Sequence, residues 1–183
     1  MPAWVDRLAH VSFGAALWLA VQKHAFRPPG LPIVPASAGA LERFMVIMTG
    51  IRDVLVFYAL PLAVALIYSR IPDLIDRAEG PDHRSFAHSL LGLLVLSVLP
   101  YLALVHLYPA LSGIAGLLML AAVVGHGSHI ILDSLTYEGV PLLWPLDGNF
   151  GPRFCSAGGW VMGFVALVSL AYIFSQLPSI LPA

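Results

Sequence analysis

Histidine and aspartate recur in this chain at spacings that suit metal coordination. His126, His129 and Asp133 stand at i, i+3 and i+7, which places them on one face of a helix. His129 and Asp133 alone form the i, i+4 pair that reaches one ion from successive turns, although such a pair also serves as a hydrogen-bonded helix end. Upstream, Asp82-His83-Arg84-Ser85-Phe86-Ala87-His88-Ser89 sets two imidazoles around an arginine. The separation of His83 and His88 is wrong for one regular helical face. It suits a loop ligand, His83, folded over a helical one, His88, in the first turn of a helix. The planar fork of Arg84 between them fits an anionic oxygen of a phosphoryl group or carboxylate. Asp73 follows the helix-breaking Pro72, and Asp76 lies one turn further if that segment is helical; solvated loop carboxylates are the plain alternative. Asp6 and His10 form another i, i+4 pair, either a ligand with its orienter or an interfacial polar pair.

Between Arg84 and Asp133 there is no Asp, Glu, Lys or Arg, yet histidines stand at both ends of that apolar stretch. Ionisable groups at the edges of membrane-length helices are costly and need partners. Imidazole plus carboxylate without thiolate fits zinc, or another divalent ion such as manganese, nickel or iron. The single cysteine, Cys155, excludes an internal disulfide and a multi-thiolate zinc site. Six candidate ligands exceed one tetrahedral site, so a two-metal centre is allowed. An ion so held would acidify water and polarise a phosphoryl or carbonyl oxygen. Other chemistries lack their motifs: Ser89 and Ser134 stand outside any Gly-x-Ser-x-Gly turn, and there is no phosphate-binding glycine loop and no His-Glu-x-x-His.

The elements that must position these residues are membrane helices. The chain has 183 residues, 59% hydrophobic and 10% charged, against roughly 25% charged in soluble domains. Its length suggests one domain over residues 1–183, and a net charge of −1 gives no nucleic-acid signature. A bilayer core needs about 20 apolar residues in a helix. Residues 85–107, 113–136 and 159–177 meet that clearly, and 4–24 and 41–70 less so. The first segment lacks a net positive start and is read as retained rather than cleaved. Arg52 and Asp53 interrupt 41–70; as helical neighbours they point apart and are expected to meet partners on other helices. Alternatively that helix begins outside the bilayer and spans only from about Val54. The fold expected is all-α, an integral membrane bundle of four or five transmembrane helices. Prolines at 28, 29, 32, 35, 72 and 109 separate them, an irregular loop spans 137–158, and no internal repeat is visible.

Counting five crossings gathers the polar residues. Asp6, His10, Asp73, Asp76, Asp82, His83, His88, His129, Asp133 and Asp147 then share one membrane face, leaving little but His24, Arg27 and His106 opposite. Arg7, Arg70, Arg77, Arg84 and Arg153 lie on the same face against Lys23, Arg27 and Arg43 on the other, which predicts a cytoplasmic site.

The chain resembles the LexA-regulated, inner-membrane-associated, metal-dependent hydrolases (YdjM-like). The resemblance rests on His10, on Pro72-Asp73-Leu74-Ile75-Asp76, on His83 through Leu91, and on Gly125 through Asp133, Thr136 and Gly139 through Pro145. Ser85 replaces a usual glycine, Ala87 a usual threonine, and Asp76 is displaced by a residue. The resemblance implies a bacterial inner membrane location and His10, Asp73, His83, His88, His129 and Asp133 as metal-site residues. A more distant similarity to helical zinc phospholipases C implies phosphoester hydrolysis. The expectation is a membrane-bound hydrolase with a divalent ion, zinc foremost, acting on an ester or phosphoester of a lipid or membrane-proximal substrate. Arg84 would bind the developing anion and Asp76 would orient or deprotonate water. Leu143-Trp144-Pro145 would wall the pocket or serve as an aromatic anchor. A non-catalytic, metal-stabilised scaffold and a metal-ion transporter are the alternatives. A transporter would place its ligands near the bilayer midplane.

Overall fold

The computed structural model describes residues 3–25, 32–76, 84–157 and 159–180. Among the described residues, its regular elements are all helices. Helix α1 covers Ala3–Ala25, α2 Ala40–Tyr68, and α3 is the short Ile71–Ile75. A 3-10 turn, Phe86–His88, precedes α4 (Leu90–Leu107); α5 (Ser112–Ser134) and α6 (Trp160–Ile180) follow. Among the described residues, three helices are long and apolar enough to cross a membrane: α2, α4 and the Pro109–Ser134 helix that contains α5. A shorter apolar stretch, Trp160–Gln176, lies in α6. Helix α1 is long enough but less apolar, because it carries Asp6, Arg7, His10 and Gln22. The chain is thus a helical membrane bundle.

Two of the spans contain prolines in mid-course, and the fold answers both in the same way. The segments Leu55-Val56-Phe57-Tyr58-Ala59-Leu60-Pro61 and Leu94-Val95-Leu96-Ser97-Val98-Leu99-Pro100 each widen into a π turn, at Leu55–Ala59 and Leu94–Val98. A proline has no N–H, so the carbonyl four residues earlier loses its donor. Those carbonyls belong to Phe57 and Leu96. The Gln22 amide of α1 donates to Phe57 O, and the Tyr68 hydroxyl donates to Leu96 O at 3.2 Å. In lipid, where an unsatisfied group costs several kcal/mol, neighbouring side chains replace the missing donors. The repeated Leu-Val-x-x-x-Leu-Pro pattern is too short to register as an internal repeat, yet it produces the same local geometry twice.

Helix α5 is the hub, packed against α1, the second half of α2, and α4, while α6 packs along α1. Small residues allow this. A Cβ on Gly125 would lie 2.2 Å from Ala65 O, so α5 approaches α2 backbone to backbone. Ala9, Leu132, Cys155, Met162 and Ala166 form one apolar cluster, and Trp18, Ala65, Leu117 and Ala121 form another. The loop after α5 is irregular, as expected, but pinned: Thr136 bridges to Cys155 and Val140 to Phe150.

Two expectations are corrected. Among the described residues Arg52 meets its own neighbour; its Nε and Nη2 donate to Asp53 Oδ1 at 2.9 and 2.7 Å. Its long, flexible stem bends back over the buried carboxylate, so the angular offset of adjacent residues does not separate them. His88 is not in the first turn of a helix. Ser89 is the N-cap of α4, its Oγ accepting from Gly92 N at 3.0 Å, which leaves His88 in the turn before it.

Candidate metal centre

Three elements converge at one end of the bundle. Helix α3 starts after a break at Ser69-Arg70, with Pro72 in its first turn, where a missing N–H costs nothing. This places Asp73 facing the last turns of α5. The 3-10 turn brings His88 to the same point, and α5 supplies His129 and Asp133 one turn apart. The turn is held by close backbone approach, since a Cβ on Gly92 would lie 2.1 Å from Phe86 O.

Asp73, His88, His129 and Asp133 each present one donor atom, and all four lie within 4.8 Å of one another. His129 Nε2 is 3.2 Å from Asp73 Oδ1, 3.3 Å from His88 Nε2 and 3.4 Å from Asp133 Oδ2. His88 Nε2 is 3.2 Å from Asp133 Oδ2 and 3.7 Å from Asp73 Oδ1. A regular tetrahedron of N and O ligands about zinc, with bonds of about 2.0–2.1 Å, has edges of about 3.3–3.4 Å. The five separations bracket that length, so the four atoms could hold a metal ion.

The surrounding hydrogen bonds fix which atoms face inward. His88 Nδ1–H donates to Asp76 Oδ2 at 2.9 Å, and His129 Nδ1–H donates to the Ser69 carbonyl at 2.8 Å. With both Nδ1 atoms acting as donors, the neutral rings would turn both Nε2 lone pairs toward the same point, the arrangement that metal-binding imidazoles adopt. Asp76 is itself held, accepting from Ser85 N at 2.9 Å, Ser85 Oγ at 3.0 Å and Ala87 N at 3.0 Å. Asp133 turns Oδ2 inward, and its Oδ1 meets Arg84 Nη2 at 3.0 Å and His10 Nε2 at 3.3 Å.

Charge follows from these contacts. Burial would raise the Asp73 carboxyl, but hydrogen bonds from His129 and His88 and the Arg70 charge outweigh it and hold it well below the usual carboxylate range. Asp76 is lowered for the same reason: contacts with His88 and Ser85 overcome its burial. Burial would lower His88, but the carboxylates of Asp133, Asp73 and Asp76 raise it above the ordinary imidazole value.

The remaining expected residues fall as follows. His10 stacks on His129 with ring centroids 4.1 Å apart and meets the outer oxygen of Asp133, outside the converging four. Its Nδ1 is buried without a hydrogen-bond partner. Asp76 lies behind His88, away from the inward-facing atoms. Arg84 is nearly buried and donates to Thr136 Oγ1 at 2.6 Å, Gly139 O at 2.8 Å and Asp133 O at 3.4 Å besides Asp133 Oδ1. Its fork does address an anionic oxygen, and that oxygen belongs to the protein. His83 lies outside the described residues. His126 shares a face with His129 but not its target: Nε2–H donates to Ala87 O, and Nδ1 accepts from Ser97 Oγ, both at 2.7 Å. It braces the backbone beside His88. The Ser69 carbonyl and Ser97 carried no sequence signal, since a backbone acceptor and a lone serine in an apolar run look like any others. Trp144 packs edge-on against Phe86, and Leu142 O accepts from Leu90 N at 3.0 Å, which docks the loop onto the His88 turn.

A helical membrane bundle with a buried His/Asp cluster at one end defines the class, and comparison supplies the family. Residues 5–180 match the family described as YdjM inner membrane protein, and the chain belongs to it. It is similar to the inner membrane protein YdjM of Escherichia coli (strain K12) and to that of Shigella flexneri. Each is 42% identical over 76 residues, which cover 42% of this chain and 36% of the relative. The aligned stretch therefore spans about a third of the relatives' length. The chain is an integral inner membrane protein. No solved structure matches it.

Proposed function

We propose that this protein is a membrane-bound, metal-dependent hydrolase acting on an ester or phosphoester of a lipid or membrane-proximal substrate. One observation carries the reading: two imidazole nitrogens with their Nδ1–H groups engaged elsewhere, and two carboxylate oxygens, converge at 3.2–3.7 Å. Four acceptors at that range repel one another unless a cation or protons stand between them. Asp73, His88, His129 and Asp133 are the ligands in this proposal, with zinc as the first choice of ion and manganese or another divalent ion the alternative. A divalent ion there supplies Lewis acidity, lowering the pKa of water and polarising a phosphoryl or carbonyl oxygen.

The protein's own residues set that centre up. Asp76 and the Ser69 carbonyl orient His88 and His129, while Arg84 and His10 aim Asp133. Asp73 is the one ligand at the mouth, with a side chain 33% exposed against 5% or less for the other three. His83 remains a further candidate ligand on the family resemblance alone. The donor set also favours catalysis over structure, because structural zinc sites rely on thiolates and this one has none.

The scaffold reading has one observation in its favour. Four protein donors at tetrahedral separations resemble a closed shell, which ties helices together without leaving room for substrate. A transporter is disfavoured by position, since His129 and Asp133 occupy the last two turns of their span. The deciding experiment is hydrolysis of a phosphoester panel by the full chain in nanodiscs, zinc-loaded and then chelated. Zinc-dependent turnover supports the hydrolase. Stoichiometric zinc with no turnover, and a lower melting temperature after chelation, supports the scaffold.

A further inference from the structure

His88, His129 and Asp133 are sealed inside the bundle, so a ligand arriving from outside must pass Asp73. Among the described residues, one cation stands at that point. Arg70 is three residues before Asp73, its side chain is 23% exposed, and its Nη1 lies 2.7 Å from Asp73 Oδ2. The oxygen it meets is the outer one, because Oδ1 faces His129 and His88. Arg70 therefore borders the converging atoms from the solvent side without competing for the inward position.

The other arginine of the site is committed. Arg84 is 7% exposed, and its donors point to Asp133, Thr136 and Gly139. Arg70, among the described residues, has Asp73 as its one ion-pair partner, while a guanidinium carries five N–H donors. An anion at the mouth would meet a planar donor fork suited to two oxygens beside the ion.

We propose that Arg70 is the anion-binding residue of this centre, its partly exposed guanidinium receiving a phosphoryl oxygen of the substrate beside Asp73. The inference rests on the metal-centre reading and narrows the substrate class to phosphate monoesters and diesters. The test is calorimetric titration of inorganic phosphate into the zinc-loaded full chain in nanodiscs, for the parent, Arg70→Gln and Arg70→Lys. Losing one charge-assisted hydrogen bond weakens binding by about ten- to a hundredfold. Arg70→Gln is expected to show that loss and Arg70→Lys a smaller one, each protein being held at saturating zinc. Equal phosphate affinity in parent and Arg70→Gln at equal zinc content overturns the assignment and leaves the metal centre standing. Zinc-loaded parent that binds no phosphate also overturns it. Parent that holds no zinc, measured before phosphate is added, overturns both. Competition by phosphatidate-containing nanodiscs, but not phosphatidylcholine ones, assigns the anion to a lipid headgroup; phosphate binding indifferent to both assigns it to a soluble phosphoester.

Discussion

Asp76 shows how much of this site lies one shell away from the converging atoms. Its carboxylate takes four hydrogen bonds, one of them from His88 Nδ1, and so decides which nitrogen of His88 faces inward. Asp76→Asn can present an N–H to that nitrogen and so release the tautomer. Metal affinity is expected to fall about 10- to 100-fold, measured by competition with a chromogenic chelator. The same affinity depends on pH in a defined direction. His88 is raised above the ordinary imidazole value by its carboxylates, so without an ion it holds its proton to a higher pH than a free histidine. An ion must displace that proton; affinity is therefore highest in alkali and falls as the pH drops through and below that raised value. Affinity independent of pH between about 5 and 8 would remove His88 from the ligand set. At this scale the sequence was a good guide to residue types and a poor one to partners. His129 and Asp133 were legible because a single helix fixes their relation. The targets of Arg84 and His126 were not, because tertiary packing chooses which acceptor a donor on the right face will meet.

At the scale of elements, placement depends on tight backbone contacts. The His88 turn lies directly against α4, where Gly92 leaves room for Phe86 O. Gly92→Ala puts a methyl group 2.1 Å from that oxygen, and backbone cannot yield cheaply. The variant should displace His88 and weaken metal binding at least about tenfold, as loss of an orienting partner does, although it alters no ligand. Unchanged affinity would mean that the turn is held by other means. The spans near 85–107 and 113–136 were legible from apolar length; Ala40–Tyr68, read as weaker, is also long and apolar enough, while 159–177, read as clear, holds only the shorter apolar stretch Trp160–Gln176. The break before Pro72 was legible from the constraint that proline imposes on its predecessor. The π turns were not. Their cause is the pairing of each proline with a donor from a neighbouring element, Gln22 for Phe57 O and Tyr68 for Leu96 O. A sequence shows the proline but not the helix that answers it.

For the whole molecule, the cluster sits at one end of the bundle, and at the other Gln22 donates to Phe57 O and Lys23 to Gln176 Oε1. His10 and Gln22 are twelve residues apart on α1, about 18 Å along a helix, so the site is well away from the Gln22 level. The excess of arginine at the site end predicts that this end faces the cytoplasm. A cysteine introduced for the exposed Asp147, in the loop beside the site, should react with an impermeant maleimide in inside-out vesicles and not in intact spheroplasts. The native Cys155 is buried and gives little background. The opposite labelling pattern would reverse the orientation.

The central claim is that Asp73, His88, His129 and Asp133 bind one ion together. Elemental mass spectrometry of the purified full chain, beside His129→Ala and Asp133→Ala variants that keep the parent's helical circular dichroism, tests it most directly. The account predicts a single divalent ion per parent chain and a near-complete loss in each variant. A folded parent without metal after zinc supplementation, or variants that retain the parent's metal content, would contradict it.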